Sequence, residues 1–250
     1  MRFMDNRNFL SLFNVKKPVI GVIQMKGDTD DSAVDLAKRE IDIYAANGVN
    51  AVLVETYFGG YNRVERILGW LKDSNFPMPY GVNCLNVDAM GFELADEFGC
   101  GFMQLDSVVG HVKPRDEETL DAFFRLYRKR SSALVMGGVR FKYQPVLSER
   151  TLQEDLVTAM GRCDAVCVTQ DATGQETSMD KIRQFRDGIG DFPLIICAGV
   201  NAGNAEEQLA VADGAVVGSF FKDNYKDTGD VCPQHVRELM AVVERLRQQL

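Results

Sequence analysis

The sequence predicts a single (β/α)8 barrel, and three observations support this prediction. Eight short apolar runs rich in Val, Ile and Phe recur along the 250 residues. Segments with helical spacing lie between them, and apolar strands that alternate with helices are typical of a parallel sheet covered by helices. A barrel of eight such units usually has about 250 residues. The alternative is a doubly wound open sheet, which usually has about five or six strands and leaves two edges.

The eight runs begin 21 to 33 residues apart, a spacing that leaves room for one helix after each strand. They are PVIGVIQM from Pro18, AVLVETYF from Ala51, PYGVNCL from Pro79, GFMQLDS from Gly101, ALVMGGVRF from Ala133, DAVCVTQ from Asp164, PLIICAGV from Pro193 and GAVVGSFF from Gly214. No linker rich in Pro, Gly or Ser interrupts the series. We therefore expect one barrel domain over residues 18–250, with residues 1–17 as an extension that covers the lower end of the barrel or packs on a partner.

The segments between the runs have the period of amphipathic helices. In DSAVDLAKREIDIYAANG, one face is formed by Ala33, Leu36, Ala37, Ile41 and Tyr44. Gly48 is the expected C-cap of this helix. The segments RTLQEDLVTAMGR, NAEEQLAVAD and HVRELMAVVERLRQQL predict helices in the same way.

The bulk composition excludes several classes of protein. Hydrophobic residues make up 46% and charged residues 26%, which is typical of a globular domain. The net charge of −8 and the absence of a basic cluster argue against nucleic-acid binding. The sequence has neither a signal-peptide pattern nor an apolar run near 18 residues, so we expect a cytoplasmic protein without a membrane span.

Cysteine and histidine usage argues against a metal site. None of the six cysteines forms a CxxC pair, so free buried thiols are the expectation. Of the two histidines, His235 is expected on the surface, and His111 follows the fourth run as a candidate for a part in catalysis. No Walker A, EF-hand or GxGxxG pattern is present. The sequence requires no cofactor and no metal.

Polar side chains gather near the C-terminal ends of the runs, where barrel enzymes place their chemistry. Six runs end in this way, with Gln24, Glu55, Asn83, Asp106, Lys142 and Thr169. Arg140 and Lys142 are two positions apart, so both side chains would point to the same side of a strand. We expect both at the barrel mouth beside carboxylates of neighbouring strands. Structural roles are the alternative: Glu55 bonded to a backbone amide, Asp106 capping a loop, and Lys142 serving only as an ion-pair partner. Arg140 is expected to be structural or to orient the substrate.

The last two strands predict a phosphate site. Gly199 and Asn201 follow the seventh run, and Gly218 and Ser219 end the eighth. Glycines let backbone amides approach an anion closely, and barrels commonly hold phosphate between these two loops. The loop TQDATGQETS after the sixth strand is expected to contact substrate or act as a lid, with Thr173 and Gly174 in it.

The sequence segments at the strand ends resemble those of the BtpA/SgcQ family. This family is described as phosphate-site barrels and is named after a protein of photosystem I biogenesis. The resemblance runs from Pro18 to the last helix and is carried by KPVIGVIQM, GVNAVLVETYFG, GVNCLNVD, the lysine of VRFKY, DAVCVTQDATG and ADGAVVGSFFK. It implies site roles for Glu55, Asn83, Lys142, Thr173, Gly174 and the phosphate-loop glycines.

The sequence departs from the family pattern at several of these positions. Gln24 replaces a usual histidine, and Tyr143 replaces the histidine after the lysine. Gly138 stands where an aspartate is expected, and Gln104 and Asp106 replace an arginine and an asparagine. The chain is therefore a divergent member, with a different substrate or little catalysis.

The leading hypothesis is an enzyme of lyase or isomerase type that acts on a sugar phosphate or a phosphoribosyl compound, as a homo-oligomer. Glu55 or Asp106 would move a proton, and Lys142 would polarise a carbonyl or form a Schiff base. The substrate-binding candidates are Gln24, Asn83, Gln104, Arg140, Thr169, Thr173 and Gly174. The phosphate-binding candidates are Gly199, Asn201, Gly218 and Ser219. The alternatives are a non-catalytic binding or assembly protein that keeps the phosphate site, and a hydrolase or nucleosidase with a metal on Glu55 and Asp106.

Overall fold

The computed structural model describes residues 7–110 and 116–250 and confirms the (β/α)8 barrel. Each strand pairs in parallel with the next one along the chain, and the first strand pairs with the last, which closes the sheet. The strands are β1 Val19–Gln24, β2 Ala51–Glu55, β3 Tyr80–Asn83, β4 Phe102–Leu105, β5 Leu134–Gly138, β6 Ala165–Val168, β7 Leu194–Ile196 and β8 Gly214–Val217.

A helix follows each strand and covers the outside of the barrel. The helices are α1 Asp30–Ala46, α2 Tyr61–Asp73, α3 Asp88–Phe98, α4 Glu117–Arg130, α5 Leu152–Met160, α6 Met179–Ile189, α7 Ala205–Val211 and α8 Pro233–Arg247. Two short 3-10 helices, Phe9–Leu12 and Ser219–Phe221, lie before β1 and after β8. No helix in the described ranges combines the length and apolar character needed to cross a bilayer.

The predicted helix segments agree with the observed helices. α1 ends at Ala46, and Gly48 adopts a φ of +81° just past the cap residue Asn47. The predicted apolar face of α1 is buried except for Leu36, which is half-buried. α8 begins two residues before the predicted segment, because Pro233 provides a favourable first turn.

Alternation along the strands divides the apolar residues into two cores. Outward-facing residues such as Val19 and Ile23 pack against the helices. Inward-facing residues such as Ile20 and Val22 fill the barrel. This parity continues to the strand ends, and Gln24 therefore follows Ile20 and Val22 toward the interior.

The N-terminal end of the barrel is closed by the segment before β1. The ring of Phe9 is fully buried and lies edge-on to Phe102, with ring centroids 5.8 Å apart. Arg7 donates hydrogen bonds to the carbonyls of Arg128, Ser131 and Ala133, just before β5. Aromatic packing seals this end, so the opposite end holds the accessible cavity.

The cysteines are free thiols, as predicted. Five of the six are buried, and Cys232 is half-buried. Cys167 and Cys197 belong to the barrel interior, and burial raises the pKa of the Cys167 thiol well above its usual range. Cys167 therefore acts as apolar filling of the barrel, and Cys197 contributes an apolar surface to the cavity lining.

Candidate functional site

A cavity of about 350 Å³ opens at the C-terminal end of the barrel. Most of the predicted site residues line it: Gln24, Glu55, Asn83, Gln104, Asp106, Lys142, Thr173, Gly174, Gly199, Asn201, Gly218 and Ser219. The register explains this convergence, because Gln24 pairs with Glu55 and Glu55 pairs with Asn83 at the ends of adjacent strands. His111 lies outside the described residues.

The polar side chains at the strand ends form the floor of the cavity: Gln24, Glu55, Asn83, Gln104 and Asp106. Side-chain amides connect the two carboxylates of this floor. The Nδ2 of Asn83 donates to Asp106 Oδ1 at 3.1 Å and to Glu55 Oε1 at 3.4 Å. The Nε2 of Gln104 also donates to Asp106 Oδ1, at 3.1 Å. These bonds place Glu55 and Asp106 on either side of one shared asparagine.

Burial changes the acid–base behaviour of Glu55. Desolvation raises its pKa to about 7, and nearby Asp106 adds to the increase, whereas Lys142 and the Asn83 amide act in the opposite direction. A carboxyl group with a pKa near neutrality can both accept and donate a proton at physiological pH. Among the floor residues, Glu55 therefore has the properties of a general acid–base.

Lys142 reaches the cavity from the loop after β5. Its backbone N–H donates to the hydroxyl of Thr169 at 2.7 Å, and its Nζ lies 5.4 Å from the centroid of the Phe141 ring. Thr169 is fully buried and does not line the cavity. Thr169 therefore holds the lysine backbone in place.

The structure gives Arg140 a different place from the predicted one. β5 ends at Gly138, and Arg140 adopts a φ of +47°, so strand parity no longer relates it to Lys142. Its Nε bonds to the buried Asp155 of α5 at 3.0 Å, and it lines a second cavity between the loops after β5 and β6. Its partner is thus a helix carboxylate, and not one from a neighbouring strand.

Two buried amide oxygens on the floor have no hydrogen-bond partner among the residues that the structure describes. They are Oε1 of Gln24 and Oε1 of Gln104, whose side chains are 5% and 2% exposed. Buried polar atoms are nearly always hydrogen-bonded in native proteins, so an open acceptor in a cavity indicates room for a donor. The orientation of Gln104 is set by chemistry, because its NH2 group must face the Asp106 carboxylate.

The glycines after β7 and β8, Gly199 and Gly218, differ in whether the surrounding protein leaves room for a side chain. Gly199 has a φ of +74°, and a side chain there would collide with the backbone of Gln175 and Glu176 in the loop after β6. Gly218 has a φ of −114°, and in the described part of the chain a Cβ there would meet no atom beyond its chain neighbours closer than 3.7 Å. Packing within the protein requires glycine at the first position but leaves open space at the second.

Backbone donors without a protein acceptor occur beside this open space. In the described parts of the chain, the N–H groups of Gly199, Gly218 and Ser219 donate to no protein acceptor. Asn201 is held by a turn, since its N–H donates to Asn204 Oδ1 and its own Oδ1 accepts from the N–H of Gly203, both at 2.8 Å. The loops after β7 and β8 therefore bring unused backbone N–H groups to the lining of the cavity.

An aromatic rim above the floor was missed by sequence reasoning. Tyr57, Phe220 and Tyr225 line the cavity from the loops after β2 and β8. The Tyr57 hydroxyl donates to Asp227 Oδ2 at 2.9 Å, and desolvation together with this bond raises the Tyr57 pKa to about 12. Tyr225 stacks on His235 with ring centroids 4.3 Å apart. Irregular loops carry these residues, so no periodic signal precedes them.

No group of three His, Cys, Asp or Glu side chains suited to a metal ion occurs in residues 7–110 and 116–250. The polar groups of the site are carboxylates, amides, hydroxyls, one lysine and backbone N–H groups.

A model of the BtpA family matches residues 15–245 of this chain. The chain belongs to the BtpA family. A relative from Methanocaldococcus jannaschii, named MJ1115, is 21% identical and spans 93% of this chain and 97% of its own. The photosystem I biogenesis protein BtpA of Synechocystis is 22% identical, over 84% of this chain and 82% of its own. The family resemblance drawn from the sequence segments at the strand ends is therefore confirmed.

Solved structures of similar shape are TIM barrels. A structure described as native KDPGal superposes with a TM-score of 0.66 at 15% identity, covering 95% of this chain and 99% of that one. Phosphoribosyl anthranilate isomerase from Thermotoga maritima has a TM-score of 0.62 at 15% identity, over 92% and 99% of the two chains. At this identity the likeness establishes the fold.

Proposed function

We propose that this BtpA-family barrel is an enzyme that acts on a small phosphorylated metabolite, a sugar phosphate or a phosphoribosyl compound. The observation that carries the proposal is the open space at Gly218 beside the unused N–H groups of Gly218 and Ser219. A glycine that the protein's own packing does not require is explained when a ligand occupies the volume of the missing side chain. Backbone N–H groups in such a concavity bind anions such as phosphate.

The floor supplies groups suited to lyase or isomerase chemistry. Glu55, with its pKa near 7, moves a proton to or from a substrate carbon or oxygen. Lys142 lines the same cavity and polarises a substrate carbonyl, or attacks it as the neutral amine to form an imine with loss of the carbonyl oxygen as water. Asp106, bonded to two amides, keeps the polar residues of the floor in position. A named neighbour of the same fold, the phosphoribosyl anthranilate isomerase, supports this reaction class by analogy.

A glycine-to-alanine pair tests the phosphate site. Wild-type protein is expected to bind inorganic phosphate, and Gly218→Ala is expected to weaken this binding at least about tenfold, because the new methyl group occupies the phosphate volume. Isothermal titration calorimetry measures both affinities. The control is Gly69→Ala on α2, where the new Cβ also meets no atom closer than 3.6 Å but lies far from the cavity.

The control is expected to bind phosphate like the wild type. Equal phosphate affinity of Gly218→Ala and wild type, or no phosphate binding by the wild type, would overturn the proposal. The cytoplasmic location and the homo-oligomeric state stay predictions from the sequence.

A further inference from the structure

The cavity floor has more hydrogen-bond acceptors than donors. Acceptors come from the carboxylates of Glu55 and Asp106 and from the unpartnered Oε1 atoms of Gln24 and Gln104. The amide donors of Asn83 and Gln104 are already engaged with these carboxylates, which leaves Nε2 of Gln24 and Nζ of Lys142 as the side-chain donors for a larger number of acceptors. A ligand that binds here is therefore required to bring donors of its own.

The charges on the floor disfavour a second anionic group on the ligand. Lys142 is the one lysine or arginine among the described residues that line the cavity. It faces two carboxylates, and like charges brought together in a buried site repel each other strongly. A ligand carboxylate at the floor would place a negative group beside Asp106 and the partly protonated Glu55, and it would leave the oxygen atoms of Gln24 and Gln104 without a donor.

Hydroxyl groups satisfy both conditions. Each hydroxyl donates one hydrogen bond and accepts others, so neighbouring hydroxyls can donate to Gln104 Oε1 and Gln24 Oε1 while accepting from Lys142. A cavity of about 350 Å³ is at the lower end of the range for small-ligand sites, which suits a compact metabolite.

We infer that Gln24 and Gln104 are specificity residues that select a phosphorylated polyol or sugar, with its hydroxyls on the floor, over the corresponding phosphorylated sugar acid. This inference rests on the proposed phosphate site and adds the chemistry of the other end of the ligand. It assigns to the two glutamines the recognition of ligand O–H groups, with the phosphate at the amides of Gly218 and Ser219.

A matched pair of probes tests the inference on the wild-type protein. D-ribitol 5-phosphate and 5-phospho-D-ribonate have the same carbon chain and differ only in a terminal CH2OH or carboxylate group. Calorimetry is expected to give ribitol phosphate at least about tenfold higher affinity than both the ribonate and inorganic phosphate, because hydroxyl donors fill the open acceptors. Higher or equal affinity for the ribonate would overturn the inference.

The outcome for inorganic phosphate separates this inference from the proposed function. If inorganic phosphate binds and ribitol phosphate binds no better, the hydroxyl-selecting role is wrong and the phosphate site stands. If neither inorganic phosphate nor any of the phosphorylated probes binds, both are wrong.

Variants then assign the preference to the glutamines. Gln104→Met keeps the length of the side chain and removes the acceptor together with the Nε2 donor to Asp106, and it is expected to lower the affinity ratio of ribitol phosphate to inorganic phosphate about 3- to 10-fold. Gln24→Met provides the second test if Gln104→Met does not fold. An unchanged ratio in a folded variant would contradict the assignment.

Gln208→Met is the matched control. Gln208 is also buried, its Oε1 is also unpartnered, and its Nε2 donates to the carbonyl of Thr177 at 2.9 Å, but it does not line the cavity. This variant is expected to keep the affinity ratio of the wild type whatever it does to stability. A fall in the ratio equal to that of Gln104→Met would show that loss of any buried amide is sufficient, and would overturn the inference.

Discussion

Two buried glutamates of this barrel differ in their partners: Glu40 is paired with a lysine, and Glu55 is not. Glu40 on α1 is 2% exposed, and its Oε1 accepts from Lys222 Nζ at 2.9 Å and from the Val231 N–H at 3.0 Å. Glu55 at the end of β2 is 8% exposed, and its hydrogen-bond partner is the amide of Asn83 at 3.4 Å. Among the described residues, no lysine or arginine nitrogen lies within 4.0 Å of the Glu55 carboxylate.

The difference shows how the same side chain serves structure in one place and chemistry in another. Glu40 is neutralised by a fully buried lysine, and this pair fastens the loop after β8 to α1. Glu55 faces the cavity without such a neutralising partner, so burial raises its pKa instead. A buried charge either finds a counter-ion or changes its protonation.

Removing the charge of Glu40 is expected to have the largest effect on stability. Glu40→Gln keeps the shape but leaves Lys222 buried without a counter-ion, which typically costs about 3–5 kcal/mol of unfolding free energy. Urea denaturation at pH 7 measures this loss. The double variant Glu40→Gln/Lys222→Met is expected to recover part of it.

Glu55→Gln is the control for this experiment. The raised pKa of Glu55 means that its ionisable carboxyl group lowers the unfolding free energy at pH 7, so the neutral isostere is expected to keep or raise stability at that pH, by up to about 3 kcal/mol. If Glu40→Gln and Glu55→Gln lost equal stability, the contrast between a paired and an unpaired glutamate would be wrong.

The pH dependence of stability gives the second test, with a somewhat smaller effect. The Glu55 pKa is raised from 4.5 to about 7 by folding, so the folded state binds the proton more tightly than the unfolded state. The contribution of Glu55 to the unfolding free energy is therefore largest below pH 4.5. It decreases as the pH rises from 4.5 through the folded-state pKa, by about 3 kcal/mol in total.

Glu55→Gln is expected to lack this decrease. The measurement is denaturation of wild type and variant in parallel between pH 5 and pH 8, where the difference between the two curves isolates Glu55. Parallel curves would show that the pKa of Glu55 is not raised in the folded protein.

The two glutamates also mark what the sequence can reveal. The inward orientation of Glu55 could be predicted because β2 is regular. Leu53 points into the barrel, and Glu55 lies two positions later at the end of the same strand. Glu40 and Lys222 were not, because 182 residues separate them and no local pattern relates a helix position to a loop after the last strand. Arg140 was misplaced for a related reason: the chain leaves β5 before it, and parity ends with the strand.

The polar floor was thus predictable and its surroundings were not. Strand ends provide Gln24, Glu55 and Asn83 by periodicity alone. The aromatic rim depends on loop conformations, such as the contact between Tyr57 and Asp227, which joins the loops after β2 and β8. Loop geometry follows from tertiary packing, which one-dimensional patterns do not encode.

The smallest expected effect concerns the outer part of the Glu40 cluster. Lys26 Nζ lies 3.6 Å from Glu40 and 3.0 Å from Asp230, which is 66% exposed. Exposed ion pairs are screened by solvent, so Asp230→Asn is expected to cost less than about 0.5 kcal/mol of unfolding free energy. Urea denaturation at low and at high salt measures it. A loss as large as that of Glu40→Gln would mean that the exposed carboxylate of Asp230, and not that of Glu40, is the main counter-ion of Lys26 and Lys222.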